Sequence, residues 1–302
     1  MKITITGASG FVGLNLKKYL NSSHNLSSLS VRFLKDQKII IDLDSEIIIH
    51  LSGKAHDLKN VSNPTDYYES NFELTKQLFD AFLISNASTF IFMSTVKASA
   101  DKVTGILKET DIPDPKTHYG IAKLQAENYI LSKEIPIGKR VYILRPCMIH
   151  GPENKGNLNL LFKLVSKNLP WPLGSFENKR SFLSIDNLCF VINELIVNDT
   201  IPSDVYQISD DLALSTNELI QIIGESLNKK SKNLKISTSF IRRLSKIGDV
   251  LHLPLNTERL DKLTENYIVS NDKIKKVMNK NLPISSREGL VKTFKSFQNK
   301  KQ

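Results

Sequence analysis

A tyrosine and a lysine that could transfer a proton stand four residues apart in Tyr119-Gly120-Ile121-Ala122-Lys123. The segment is predicted to begin a helix, where this spacing places both side chains on one face, one turn apart. A free phenol has a pKa of about 10, which is too high for proton exchange at neutral pH. We expect the ammonium of Lys123 to lower the pKa of Tyr119, which suits the phenol to acid–base chemistry on a substrate hydroxyl or ketone.

Hydroxyl groups lie upstream of this pair in Met93-Ser94-Thr95, at the predicted end of a strand. Side chains at the carboxyl ends of parallel strands face the ligand crevice, so the Thr95 hydroxyl can reach the substrate oxygen that Tyr119 serves. A surface tyrosine beside a lysine, or a hydroxyl residue at a strand end, is ordinary by itself. Their joint occurrence downstream of a glycine-rich loop favours an active site.

The glycine-rich loop, Gly7-Ala8-Ser9-Gly10-Phe11-Val12-Gly13, lies between a predicted strand and a predicted helix. Glycines at this spacing allow a tight turn, a close backbone approach to a pyrophosphate and exposed amides at a helix start. A glycine triplet is weak evidence alone, but the strand–turn–helix context is the one that dinucleotide binding requires. The predicted cofactor contacts in this loop are Gly7, Ser9, Gly10, Phe11, Val12 and Gly13.

The type of dinucleotide depends on the end of the second predicted strand, where NAD sites usually carry an acidic residue. This sequence has Ser30-Val31-Arg32-Phe33 there, without a carboxylate. Arg32 either faces the 2′-phosphate of NADP(H) or points to solvent. The segment favours NADP(H) over NAD(H) as the cofactor.

Strands and helices alternate over the first half of the chain. Apolar and β-branched runs predict strands, and apolar residues at three- and four-residue spacing predict helices. The predicted strands are Lys2–Thr6, Leu26–Phe33, Glu46–Ser52, Thr89–Ser94 and Arg140–Arg145, and the predicted helices are Phe11–Leu20, Tyr67–Ser85 and Tyr119–Lys133. This alternation predicts an α/β fold with a doubly wound parallel sheet of the Rossmann type.

The alternation fades beyond Gly151, which predicts a smaller, mixed α/β C-terminal domain for the substrate. We expect residues 1–155 with about 181–209 to bind NAD(P), and about 156–180 with 210–302 to bind the substrate. Within this half, helix caps are predicted at Asp186 and, as capping boxes, at Ser215 with Glu218 and Ser285 with Glu288.

The composition is that of a globular protein, with 302 residues of which 40% are hydrophobic and 24% charged. No apolar stretch reaches the roughly 18 residues of a membrane span, and no signal peptide is predicted before the first strand. Two cysteines are too few for a disulfide framework, and no metal-ligand spacing is found among His, Cys and carboxylate residues. We therefore expect a cytoplasmic protein without a metal.

The net charge of +10 is concentrated near the C-terminus, where residues 225–302 carry 18 Lys or Arg against 7 Asp or Glu. Such a surface could bind nucleic acid through phosphates, but no nucleic-acid motif or aromatic stripe accompanies it. The other interpretations are a solvated lysine-rich surface, or attraction to an anionic substrate or an acidic membrane. We expect no specific nucleic-acid partner and at most peripheral proximity to a membrane.

Together these motifs resemble the extended short-chain dehydrogenases/reductases, in particular the NAD-dependent nucleotide-sugar epimerase/dehydratase group, over nearly the whole chain. Some segments are similar to UDP-glucose 4-epimerase-like members of bacterial polysaccharide pathways. Further motifs that carry the resemblance are His50-Leu51-Ser52-Gly53, Asn71, Leu144-Arg145-Pro146, His150-Gly151-Pro152 and Arg180-Ser181-Phe182. The resemblance implies that Tyr119 is the general acid/base, that Lys123 holds the nicotinamide ribose and that Thr95 orients the reacting oxygen.

The resemblance also implies further contacts with both ligands. Those with the cofactor are Leu51, Ser52, Gly53, Pro146 and Ile149, and those with the substrate are Lys54, His56, Ser94, Lys97, Asn157, Arg180 and Arg259. Among these, Asn157 and Arg180 match positions that hold a nucleoside diphosphate, which a guanidinium fork suits. Lys97 resembles the lysine of inverting dehydratases, and His50, inside an apolar strand, is expected to be a hydrogen-bonded core residue.

The reaction that the resemblance implies is hydride transfer at C4 of a UDP-linked sugar. A 4,6-dehydratase needs an additional acid and base, and Val96 and Lys97 follow Thr95 where such enzymes carry acidic residues or an Asp-Lys pair. Reduction of a 4-keto UDP-6-deoxy-HexNAc and 4-epimerisation of a UDP-hexose or HexNAc remain, and Arg32 favours reduction. The alternatives are the dehydratase and a non-catalytic cofactor-binding regulator; a homodimer is expected at family level.

Overall fold

The computed structural model of the chain describes residues 1–33, 39–40, 44–54, 63–154, 156–251 and 256–298, with the backbone alone at Asn157. Its strands are β1 Lys2–Thr6, β2 Asn25–Leu29, β3 Ile47–His50, β4 Thr89–Met93, β5 Ile106–Leu107, β6 Arg140–Pro146, β7 Met148–His150, β8 Phe182–Ser184, β9 Asp204–Ile208 and β10 Ile268–Val269. Its α-helices are α1 Phe11–Leu20, α2 Pro64–Tyr68, α3 Leu74–Ile84, α4 His118–Leu131, α5 Asn157–Ser166, α6 Ile185–Val197, α7 Thr216–Ser226, α8 Thr238–Val250, α9 Thr257–Thr264, α10 Asp272–Met278 and α11 Ser286–Gln298.

The central sheet has six parallel strands in the order β2-β1-β3-β4-β6-β9. The predicted doubly wound Rossmann sheet is therefore confirmed. The chain moves from β1 to β2 on one side and then returns to β3 on the other, so the order reverses between β1 and β3. Ligands of such sheets bind at the carboxyl ends of the strands beside this reversal, which places the site after β1 and β3.

The second strand is shorter than predicted, because β2 ends at Leu29 instead of Phe33. Its partner β1 has five residues, and Thr6, the last of them, pairs with Leu29. No residue of β1 remains to extend the ladder. Arg32 therefore lies three positions beyond the strand and is exposed.

The helix predicted to begin at Tyr67 begins earlier, at Pro64. A π-helical turn, Glu69–Glu73, separates α2 from α3. Such turns are often found near functional sites. This one holds Asn71 fully buried, and its side-chain amide donates to the carbonyl of Lys54 at 3.1 Å.

Local hydrogen bonds decide the helix caps in the C-terminal half. Both predicted capping boxes are confirmed, at Ser215 with Glu218 and at Ser285 with Glu288. The predicted cap Asp186 is wrong, because α6 begins one residue earlier. Ser184 is the cap, and its hydroxyl accepts from the backbone N–H of Asp186 at 3.2 Å.

Apolar side chains pack on both faces of the sheet and in a separate cluster. α1 and α6 cover one face, and α3 and α4 cover the other. The separate cluster joins α5, α7 and α11, where the rings of Phe162, Phe294 and Phe297 meet. Within the described part of the chain, no helix is both long and apolar enough to span a bilayer.

The end of β3 holds His50 as the core residue that was predicted. It is fully buried, and its ring nitrogens lie 2.7 Å from the hydroxyl of Thr6 and 3.0 Å from that of Thr75. Burial lowers the pKa of His50 to about 3, and the nearby charge of Lys123 adds to this effect. The imidazole is therefore neutral at physiological pH.

This burial makes the stability of the fold sensitive to acid. Below a pH of about 6.5 the unfolded chain protonates His50 and the folded chain does not, so the free energy of unfolding falls as pH falls. We expect a loss of about 2 kcal/mol between pH values of about 6.5 and 5 from this group. Urea unfolding of the wild type and of His50→Gln should show it as a pH-dependent difference. The exposed His118→Gln is the control, and a difference that does not change with pH would contradict the expectation.

Candidate active site

The glycine loop after β1 forms a cradle that side chains would fill. A Cβ atom on Gly7, whose φ is +66°, would lie 2.7 Å from the backbone nitrogen of Ser52. A Cβ atom on Gly13 would lie 2.4 Å from the carbonyl oxygen of Gly7. Gly10 is the N-cap of α1, with neither a side-chain cap bond nor an acidic residue in the first turn. The amides at this helix start can therefore receive a phosphate, and the loop fits a dinucleotide.

The other predicted cofactor residues lie along the same edge of the sheet. Gly53 is exposed after β3, and Arg32 is exposed after β2. Pro146 ends β6 in a buried position, and Ile149 in β7 packs against the main core. The remaining loop residues divide into the exposed Ser9 and Gly10 and the partly buried Phe11, Val12, Leu51 and Ser52.

The end of β4 and the start of α4 bring Thr95 and Tyr119 together. Thr95 caps a 3-10 turn, Val96–Ala98, by accepting from the backbone N–H of Lys97 at 3.2 Å. Gly120 allows α4 to approach this turn, since a Cβ atom there would lie 2.4 Å from the carbonyl oxygen of Lys97. The hydroxyl of Thr95 is close enough to Tyr119 to influence its pKa, so both hydroxyls lie where one substrate oxygen could contact them.

The acidity of Tyr119 differs from the sequence-based expectation. Burial raises its pKa to about 12, the hydroxyl of Thr95 opposes this, and Tyr67 adds to the rise. Lys123 is not among the groups that shift it, so the predicted lowering by this ammonium is wrong for the protein chain itself. The physical reason is that partial burial of Tyr119 makes the phenolate harder to hydrate. Its ring lies 6.3 Å from that of Tyr67, in an edge-to-face arrangement.

Lys123 is buried below the crevice, with 4% of its surface exposed. Its ammonium donates to the carbonyl of Met93 at 2.9 Å and lies 4.7 Å from the ring centroid of Phe92. A Cβ atom on Gly53 would lie 3.2 Å from this ammonium. Glycine at this position therefore leaves room for the Lys123 side chain. Burial lowers the pKa of Lys123 to about 8, and Glu127 acts in the opposite direction.

A buried network beneath Lys123 contains residues that were not predicted as functional. Glu127 is fully buried on α4 and accepts from the guanidinium of Arg145, with Nε 3.0 Å from each carboxylate oxygen. Ser94 also donates to Glu127. The hydroxyl of Ser94 is thus engaged away from the crevice, which does not support the predicted substrate contact. The signal in the sequence was the row Tyr119, Lys123 and Glu127 at four-residue spacing.

Two cations that were predicted to bind the substrate lie beside Tyr267. The ammonium of Lys97 donates to the carbonyl of Asp101 at 2.8 Å and lies 4.3 Å from the ring centroid of Tyr267. The guanidinium of Arg180 donates to the carbonyl of Lys262. Burial lowers the pKa of both Lys97 and Arg180, and Arg180 lowers that of Lys97 further, so the two charges are close enough to interact. The carboxylates of Asp101 and Glu265 act on these cations in the opposite direction.

The remaining predicted substrate contacts are less closely tied to this centre. Lys54 forms an ion pair with Asp66, with Nζ and Oδ2 2.6 Å apart. Arg259 is exposed on α9. Asn157 begins α5 but its side chain is outside the description, and His56 lies outside the described residues altogether. In the ranges that the structure covers, no group of His, Cys and carboxylate side chains is arranged to hold a metal.

The family follows from the sequence model that matches this arrangement. Residues 3–209, which include the glycine loop, Thr95, Tyr119 and Lys123, match the NAD dependent epimerase/dehydratase family. The chain belongs to this family. It is accordingly an NAD(P)-dependent enzyme, and the predicted family resemblance is confirmed.

Relatives of this chain include two enzymes that are named as 4-epimerases. A UDP-glucose 4-epimerase of Vibrio cholerae is 28% identical over 98% of this chain and 95% of its own. An N-acetyl-alpha-D-glucosaminyl-diphospho-ditrans,octacis-undecaprenol 4-epimerase of Escherichia coli O157:H7 is 26% identical over 78% of this chain and 75% of its own. The solved structure of RMD from Pseudomonas aeruginosa, complexed with NADPH, superimposes with a TM-score of 0.73, covering 99% of this chain and 100% of that one at 19% identity. This last likeness shows the shared fold.

Proposed function

We propose that the protein transfers hydride between a nicotinamide cofactor and C4 of a nucleotide-linked sugar. The observation that supports this best is the neighbouring pair of Thr95 and Tyr119 on the same sheet edge as the glycine cradle, with Lys123 one helical turn away. The pair can contact one sugar oxygen while the cradle positions a dinucleotide. Proton transfer and hydride transfer can then take place on the same carbon–oxygen bond.

The chain's own residues would hold the cofactor and orient the sugar. The cradle of Gly7, Gly10 and Gly13 would receive the diphosphate, and Lys123 would hold the nicotinamide ribose. When bound, the nicotinamide supplies the redox chemistry that side chains lack. Arg32, exposed after β2, would face a 2′-phosphate, which favours NADP(H) over NAD(H).

Reduction of a 4-keto sugar is the direction that fits Tyr119 best. With a pKa near 12 the phenol holds its proton at neutral pH and is ready to donate it to O4, while Thr95 orients that oxygen. Epimerisation also requires the phenol to accept a proton, for which its pKa must fall. The second candidate, 4-epimerisation, is favoured by the names of the relatives from Vibrio cholerae and Escherichia coli O157:H7. The absence of a carboxylate directly after Thr95 argues against dehydration.

Two cations would bind the nucleotide part of the substrate. Lys97 and Arg180, which lie close enough to interact, would bind the diphosphate of a UDP-linked sugar. We place cofactor binding in residues 1–155 with about 181–209, and nucleotide-sugar binding in about 156–180 with 210–302, which contain most of the separate apolar cluster. A homodimer through the faces of α3 and α4 is part of the same proposal.

The deciding experiment is release of the cofactor from the purified protein, followed by assays with NADH and NADPH. A reductase is expected to be purified without bound nucleotide and to oxidise NADPH when given a UDP-4-keto-6-deoxy-HexNAc. Retained NAD and interconversion of C4 epimers without added cofactor would assign epimerisation. The sugars tested include an undecaprenyl-diphosphate-linked HexNAc, because one relative is named for it. Binding of neither nucleotide would refute the proposal.

A further inference from the structure

α8 presents large apolar side chains to solvent along one stripe. The buried side of the helix is formed by Ile241, Ser245 and Gly248. The stripe is formed by Phe240, Leu244, Ile247 and Leu251, whose exposed fractions are 58%, 39%, 52% and 61%. We call these four residues the α8 stripe. Folded proteins rarely leave adjacent apolar residues of this size in water without a binding role.

The spacing shows that the α8 stripe is one continuous surface. Its members follow one another at intervals of four, three and four residues, which puts them on the same side of an α-helix. Other large apolar residues are exposed elsewhere, such as Ile112 and Ile137. In the part of the chain that the structure describes, they do not recur at this spacing along any other helix.

Basic residues are concentrated in the sequence around the α8 stripe. Between Lys229 and Leu251 the chain has seven Lys or Arg and a single acidic residue, Asp249. Arg243 and Lys246 are exposed on α8 itself. By helical periodicity, Arg243 borders the stripe on the side that faces away from the buried residues of the helix. In the segment that leads into the helix, exposed lysines occupy positions 229, 230, 232 and 235.

We propose that α8 docks the protein on an anionic lipid surface. An apolar helix face beside a cluster of basic residues matches the two parts of a bilayer interface, the acyl chains and the negatively charged headgroups. The apolar contact would set the depth of the helix, and the lysines and arginines would select acidic lipids. The docking needs no membrane-spanning segment.

The charges favour a membrane over the other occupants of this face. A second copy of the chain packed through the α8 stripe by a two-fold axis would bring Arg243 and Lys246 towards the same residues of its partner. Such like charges oppose association unless they are compensated. Nucleic acid would satisfy the charges but would leave Phe240 and Ile247 in water. A surface of acidic lipids satisfies both.

Vesicle flotation with the full-length protein tests this proposal. Vesicles of phosphatidylcholine alone are compared with vesicles that contain an equal part of phosphatidylglycerol, at low and at moderate salt. We expect the wild type to float with the acidic vesicles only. Phe240→Ser/Ile247→Ser should weaken this binding by about tenfold or more, because it removes much of the inserted apolar area. Arg243→Glu/Lys246→Glu should remove the preference for acidic lipid.

The controls separate docking from misfolding and from non-specific attraction. Ile112→Ser/Ile137→Ser changes two apolar residues that are 92% and 106% exposed, and it should leave vesicle binding unchanged. Unfolding midpoints of all variants should stay close to that of the wild type, since the substituted side chains are exposed. Three outcomes would overturn the proposal: no binding of the wild type, equal binding of the stripe variant, or a dimer in sedimentation that the stripe variant dissociates.

Discussion

Tyr119→Phe is expected to lower turnover by about a hundred- to ten-thousand-fold, the usual range for loss of a general acid. The substitution removes only the hydroxyl that meets Thr95, and the ring contact with Tyr67 stays in place. The affinity for the cofactor should change little, because the glycine cradle and Lys123 are untouched. Steady-state rates with a nucleotide sugar and a fluorescence titration with NADPH measure the two effects separately.

The matched control is Tyr129→Phe on the same helix. The Tyr129 hydroxyl donates to Asp80 at 2.6 Å, away from the Thr95–Tyr119 pair. Its loss should leave turnover close to that of the wild type. If Tyr119→Phe kept the wild-type rate, or if both variants lost activity equally, Tyr119 would not be the proton donor.

The features that the sequence predicts correctly depend on neighbours within one turn or loop. The glycine cradle, the spacing of Tyr119 and Lys123, and the capping box at Ser215 each need only four to seven residues to specify their geometry. The same holds for the apolar strands, whose burial on both faces gives them continuous apolar runs. Such local patterns carry both the fold class and the outline of the proposed site.

The features that were missed depend on residues far apart in the chain. Glu127 meets Arg145 and Ser94 only because α4 packs across β4 and β6, and periodicity does not specify that packing. The raised pKa of Tyr119 has the same origin, since it is caused mainly by burial among surrounding elements and Lys123 does not contribute to it. The end of β2 depends on the length of β1, which the composition of Leu26–Phe33 does not show.

Lys123→Met is expected to abolish most of the activity and to change the pH dependence of stability. The pKa of Lys123 in the folded chain is about 8, below the value of about 10.4 for an exposed lysine. Between these two values the unfolded chain keeps a proton that the folded chain has released, so the wild type becomes more stable as pH rises. Below the window both states are charged, and burial of the ammonium costs about 3 kcal/mol.

Methionine has no charge to bury, so Lys123→Met should not gain stability over this window. The loss of the partner of the Met93 carbonyl costs the variant about 1–3 kcal/mol at every pH, which offsets the benefit of removing the charge. The stability of the variant relative to the wild type should therefore fall by about 1–2 kcal/mol between pH values of about 7.5 and 9.5. Burial raises the pKa values of Cys147 and Cys189, and both cysteines are present in the two proteins. Their titration therefore cancels in the difference between the two free energies of unfolding.

Urea unfolding at several pH values, with Lys108→Met as the control at an exposed lysine, measures this difference. A difference between Lys123→Met and wild type that stays constant with pH would mean that Lys123 is not a buried cation. A variant that kept full turnover would remove Lys123 from the proposed site. Loss of activity together with the expected pH dependence would show that the enzyme maintains a buried charge for catalysis at the expense of stability. Functional sites often contain groups that lower the stability of the fold but are required for activity.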